Sequence, residues 1–192
     1  FGATPDASYK DEIAMYEVNA EDVLFVCLAD VHLDNPNVMR KLDTLFRGFQ
    51  DIVPTAFIFQ GNFLSKPFAQ SKDDAATLTD AFQRLTKLIQ KYPRLAKESQ
   101  WIFSRGPTDA GGPMVFPQFE LPAVFTRYMK QKLGDRVQFA TNPFRIRWCN
   151  KRMVFFRENL VGKMKRHSLF PLSPQADLAQ VLVHTVLAQS HL

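Results

Sequence analysis

VLFVCLADVHLDNP, residues 23–36, is the stretch on which the fold turns. Residues 23–29 form a continuous apolar run of strand length, the pattern of a strand buried on both faces of a sheet. The run is far short of the ~20 residues that cross a bilayer. It ends in a polar tip, Asp30-Val31-His32, and Asn35-Pro36 then supplies the start signal of a helix. Val38, Leu42, Leu45, Phe46 and Phe49 follow at helical spacing, so the first unit is strand, polar tip, helix.

The same unit repeats downstream. Pro54 precedes a second strand over residues 55–59, which ends at Gly61-Asn62. Asp73 and Asp74 open a long helix with an apolar stripe of Leu78, Phe82, Leu85, Leu88 and Ile89, stopping before Pro93. Residues 101–103 read as a third short strand running into Arg105-Gly106-Pro107-Thr108-Asp109. Gly111, Gly112, Pro113 and Pro117 make 110–122 irregular, and 123–133 reads as a helix. Residues 137–140 and 144–149 are strand-like, the second alternating apolar and basic residues as a half-solvated strand does. Asn150-Lys151 turns the chain into 153–156; a short helix over 158–166 and a buried amphipathic helix over 175–189 complete it. Alternating strands and helices predict an α/β fold with a parallel core sheet, whose ligand sites lie beyond the carboxyl ends of the strands.

Composition bounds the reading. The 192 residues suit one domain, and 46% hydrophobic with 22% charged residues excludes wholesale disorder. The eighteen phenylalanines are expected mostly in the core. Residues 1–20 read as linker and 21–192 as the domain, a fragment truncated at both ends. No basic n-region precedes an apolar h-region, so no signal peptide is visible. Cys27 and Cys149 sit in apolar runs and read as two buried thiols of a reducing compartment, not a disulfide. A net charge of +5 permits a nucleic-acid or acidic partner without demanding one. The basic groups Arg145 and Arg147; Arg157, Lys163, Lys165 and Arg166; and Arg127, Lys130 and Lys132 read mainly as solvated faces.

Three strands therefore end in polar tips on one edge: Asp30-Val31-His32, Gly61-Asn62 and Gly106-Pro107-Thr108-Asp109. This arrangement resembles the calcineurin-like metallophosphoesterases, which use D-x-H, G-D-x-x-D and G-N-H-[DE] at these tips, then a later His and a G-H-x-H. Asp30 and His32 match the first motif. Asn62 stands where the bridging Asp would be and Ser65 at the second Asp; Pro107 and Thr108 replace the Asn and His of the third, where Asp109 alone survives. His191 is the counterpart of the later His. Two unit charges about 4 Å apart interact by about 4 kcal/mol at an effective dielectric of ~20, and two dications by four times that. Without a bridging carboxylate that repulsion is not offset, so the degenerate equivalents Asp30, His32, Asn62, Asp109 and His191 imply no metal, no cofactor and no catalysis.

From about residue 20 onward the chain resembles the B subunits of eukaryotic replicative DNA polymerases, most closely the epsilon type. The resemblance is carried by Ala29-Asp30-Val31-His32-Leu33-Asp34, Phe59-Gln60-Gly61-Asn62-Phe63, Gly106-Pro107-Thr108-Asp109, Thr141-Asn142-Pro143-Phe144-Arg145-Ile146, Phe156-Arg157-Glu158-Asn159-Leu160 and Gln189-Ser190-His191-Leu192. It implies a degenerate calcineurin-like phosphoesterase sandwich in a non-catalytic scaffold subunit. The implied partners are the zinc-containing C-terminal region of the catalytic subunit of DNA polymerase epsilon and, through the rest of the subunit, the replicative helicase and its GINS complex. The implied setting is the nucleus, with no membrane; separately, the basic clusters speak weakly for a direct DNA-binding module, without a clear stacking platform or groove-reading helix. The alternatives are the corresponding subunit of polymerase alpha or delta and, in another class, a single-metal or active phosphoesterase. Asp30 and His32 are expected to hydrogen-bond backbone or each other, and Arg157-Glu158 to act as a helix-start and fold-stabilising pair. His184, on the apolar stripe of the last helix, is expected in the core or behind the site residues, and His167 at the surface.

Overall fold

The computed structural model describes residues 7–20, 23–69, 71–112, 115–167 and 177–189. Two units divide at the Arg157–Glu158 bond. In the first, β1 (Phe25–Ala29), β2 (Ala56–Gln60), β3 (Gln100–Ser104) and β4 (Val137–Ala140) form a parallel sheet in the order β1-β2-β3-β4. Val26 lies beside Phe57, Phe57 beside Trp101 and Trp101 beside Val137. Helix α1 (Ala7–Asn19) precedes β1, and α2 (Pro36–Gly48), α3 (Lys72–Gln90), α4 (Pro93–Glu98) and α5 (Ala123–Leu133) fill the connections. Because each strand joins the same edge through a right-handed crossover, the connecting helices collect on one face.

Strand periodicity sorts the core. Phe57, Phe59, Trp101, Phe103 and Phe139 face the helices and meet Phe46 of α2, Phe82 and Leu85 of α3 and Met129 of α5. The rings stack across the sheet, with centroids 4.4 Å apart for Phe57–Trp101, 4.9 Å for Phe59–Phe103 and 5.3 Å for Phe103–Phe139. Intervening residues Ala56, Ile58 and Ile102 face the other way, onto the antiparallel hairpin of β5 (Phe144–Trp148) and β6 (Lys151–Phe155) through Phe144. Asn35-Pro36 starts α2 as read from the sequence, whereas the cap of α3 is Ser71, which the sequence reading did not name, with the expected Asp73 and Asp74 in the first turn. Asn35 Oδ1 accepts from Asn37 N at 2.9 Å with Pro36 in the first turn, and Ser71 Oγ accepts from Asp74 N at 3.1 Å. In the second unit, α6 (Leu160–His167) packs with α7 (Leu178–Gln189).

Several expectations are corrected. Residues 7–19, read as part of a linker, are helical, and Glu17 of α1 pairs with Lys151 at 3.1 Å. β1 is an edge strand of the described sheet, not one buried on both faces; an apolar run does not reveal how many neighbours a strand has. The hairpin partly covers Phe25 but not Cys27, so Cys27 is exposed and Cys149 half-buried; both thiols are free. Pro93 ends α3 and also starts α4. α7 carries no buried residue, and His184, expected in the core, is exposed.

Candidate functional site

The tips of β1, β2 and β3 meet at the carboxyl edge of the sheet. Asp30 leaves β1 with φ of 53°, a left-handed conformation that Asp tolerates better than most side chains, and its N–H donates to Gln60 O at 3.2 Å. Its Oδ1 accepts from Asn62 N at 3.3 Å and from Asn62 Nδ2 at 3.0 Å. Asn62 Oδ1 in turn accepts from Thr108 N at 2.9 Å. Asp109 closes the loop: Oδ1 accepts from Phe63 N at 2.7 Å and Oδ2 from Gly106 N at 2.8 Å. The approach is so close that a Cβ on Gly61 would overlap the Asp109 carboxylate and reach 2.6 Å from Gly106 N. Beside this, Asp34 accepts from both Ser65 N and Ser65 Oγ, tying the loop after β1 to the loop after β2.

The cation at this edge comes from the protein. Arg157, just beyond β6, places Nη2 2.5 Å from Asp30 Oδ2 and donates from Nε to Gly61 O at 3.2 Å. Its backbone is clamped by the buried Asn142 side chain: Arg157 N donates to Oδ1 at 2.9 Å, and Nδ2 donates to Arg157 O at 2.7 Å. Burial alone would raise the Asp30 carboxyl, but the Arg157 hydrogen bond and charge, with the bonds from Asn62, hold it below the usual carboxylate range. Asp109 behaves oppositely. Burial pushes it up to about 6, against the two N–H donors and Arg105, and the Asp30 charge adds to the rise. Arg105, only 1% exposed, donates to Gly112 O at 3.1 Å; burial lowers its pKa and the charge of Asp109 counters this.

Asp30, Asn62 and Asp109 are thus brought together as the strand order predicts. The half-buried His32 imidazole bonds neither Asp30 nor any other described residue. His191 and the His167 side chain lie outside the described residues. The expected Arg157-Glu158 pair is split: Glu158 accepts from Asn159 N and Lys163 Nζ, each at 2.7 Å, at the start of α6, while Arg157 turns to Asp30. Sequence reasoning missed that partnership and the Asn142 clamp. No local signal marked either contact, because the partners lie 127 and 15 positions apart in the chain.

The sequence pattern of the DNA polymerase alpha/epsilon B-subunit family matches residues 25–192. The chain belongs to that family. Within the family it is 37% identical over 185 residues to the B subunit of DNA polymerase epsilon from Arabidopsis thaliana, covering 94% of this chain and 35% of that protein. To DNA polymerase epsilon subunit 2 of Homo sapiens and of Mus musculus it is 36% and 34% identical, covering 100% of this chain and 36% of each relative. It therefore spans about a third of the length of these curated relatives. Among solved structures, a sugar phosphate isomerase/epimerase from Parabacteroides distasonis is 14% identical over 72% of this chain and 51% of that one, at a TM-score of 0.33, too low to carry a fold assignment.

Proposed function

We propose that this chain is an inactivated, calcineurin-like phosphoesterase segment of a non-catalytic accessory subunit of DNA polymerase epsilon. The observation that carries the non-catalytic reading is the Arg157–Asp30 pair: a guanidinium stands on the carboxylate that would hold the first cation. The remaining donors do not fit two dications. Asn62 is a neutral amide committed to Asp30 and Thr108, and both oxygens of Asp109 are taken by backbone N–H groups. A parallel sheet with helices on one face and a β-hairpin on the other supports the phosphoesterase-like sandwich.

The protein then serves assembly, binding the zinc-containing C-terminal region of the polymerase catalytic subunit and, through its remaining parts, the replicative helicase and GINS complex in the nucleus. Among the described residues no helix is long and apolar enough to cross a membrane. The test is co-expression of the full-length accessory protein with the C-terminal zinc region of the catalytic subunit. Stable co-purification is expected; a folded accessory protein that fails to bind overturns the assembly role. Manganese-dependent phosphodiester hydrolysis abolished by Asp30→Ala would overturn the non-catalytic one.

A further inference from the structure

The β5–β6 hairpin sends alternate side chains to opposite sides. Phe144 and Ile146 turn to the core, and Trp148 sits edge-on to Phe25 at 6.4 Å. The outward face carries Arg145, Arg147 and Arg152, all exposed, with Val154 beside them. Arg147 lies directly opposite Arg152 in the register, and Arg145 directly opposite Val154. Opposed residues are about 5 Å apart and residues two apart on a strand about 7 Å, so the three arginines spring from neighbouring positions on one face.

Directly opposed like charges destabilise a sheet. Here no described carboxylate relieves them. Glu17, which reaches the hairpin turn, is committed to Lys151 Nζ at 3.1 Å and Asn150 N at 3.4 Å. Arg145 and Arg152 make no hydrogen bond or ion pair with any described residue, and Arg147 spends only Nε, on Cys149 O at 3.1 Å. Arg145 and Arg152, with the terminal nitrogens of Arg147, thus present a concentrated positive charge on one face of the hairpin.

We propose that the outward face of the β5–β6 hairpin, through Arg145, Arg147 and Arg152, is a contact site for the phosphate backbone of duplex DNA. Arginine, not lysine, at all three positions favours planar two-point recognition of phosphate. The face offers no ring for unpaired bases to stack on, because Trp148 faces inward, so it suits a duplex better than a single strand. Such contacts position the protein on the duplex without reading its sequence. The net charge of +5 adds a favourable long-range term.

The test compares the full-length accessory protein, its R145Q/R147Q/R152Q variant and a K66Q/K72Q/K87Q variant that loses the same charge from exposed lysines elsewhere. Affinity for a short duplex is measured by fluorescence anisotropy over a salt series. Each arginine holding a phosphate contributes about 0.9 to the slope of log affinity against log salt on a duplex, and about 0.7 on a single strand. The hairpin variant is expected to lose about that much slope per engaged arginine, the lysine variant to keep its slope, and the hairpin variant without DNA to melt no lower than the parent. Equal slopes in parent and hairpin variant, an equal loss in the lysine variant, or a lowered melting midpoint overturns the proposal. Tighter hairpin-dependent binding of poly-glutamate would assign the face to an acidic protein, and tighter binding of a single strand would overturn the duplex assignment. Co-purification with the catalytic-subunit fragment is unaffected by any of these results, so the accessory role is tested separately.

Discussion

Asp109 stitches β2 to β3 through a carboxylate that burial makes reluctant to ionise, and this gives the fold a pH signature of known sign. Its carboxyl moves from 3.8 to about 6 on folding. At 1.36 kcal/mol per pKa unit, the folded state favours the protonated form by about 3 kcal/mol. Since the folded chain binds this proton more tightly than the unfolded chain, the contribution is fully present below pH 3.8 and is lost as pH rises through about 6. Asp30 has the opposite sign, but its window lies elsewhere: with its folded pKa lowered, its stabilisation is lost only as pH falls below 3.8. The D109N variant does not titrate. It keeps one acceptor, for Phe63 N, and sets an amide donor against Gly106 N, a cost of about 1–3 kcal/mol at every pH. Urea unfolding of both proteins at intervals from pH 4 to pH 7 separates the two effects. The parent's advantage over the variant is expected to shrink by most of about 3 kcal/mol across that range. An advantage that stays constant with pH would refute the account of Asp109.

Two further outcomes follow from the same edge. Arg157→Ala is expected to cost about 2 kcal/mol in chemical unfolding: about 1 from the Nε bond to Gly61 O and the rest from an ion pair screened by solvent, since its side chains are 29% and 43% exposed. A double-mutant cycle with Asp30→Asn should give a coupling of about 1 kcal/mol, and zero coupling would deny the pairing. Gly61→Ala should lower the thermal midpoint far more than Gly112→Ala, because the first Cβ overlaps Asp109 while the second meets nothing within 4 Å; equal effects would contradict the packing at the tips.

The strand and helix order could be read from the chain because each element carries its own signals. Asn35-Pro36 begins α2 where a hydrogen bond shows the cap, Asp73 and Asp74 fall in the first turn of α3, and the aromatic strands give a core once period two is applied. Long-range relations were hidden for a physical reason. That Val26 and Leu28 lie in an edge strand depends on which strands neighbour them, and no local pattern encodes that number. α7 is apolar in sequence yet carries no buried residue, since apolarity states a preference and not whether it is met. At the strand tips, composition correctly separated Asn62 from a carboxylate, but the contact of Arg157 with Asp30 spans 127 positions.

That contact also gives Asp30 a cationic partner from within the chain. Without Arg157, the Asp30 charge would add to the cost of ionising the buried Asp109, which the charge of Arg105 only partly offsets. Arg157 and two N–H donors of Asn62 remove that penalty, so Asp30 has a structural reason to stay. A D-x-H motif is therefore ambiguous by itself, because a carboxylate at a strand tip can be paired by a guanidinium as well as by a dication. The discriminating position is the second strand tip. A carboxylate there would add a negative charge that one guanidinium cannot balance, whereas the amide of Asn62 donates to Asp30 and leaves Arg157 sufficient.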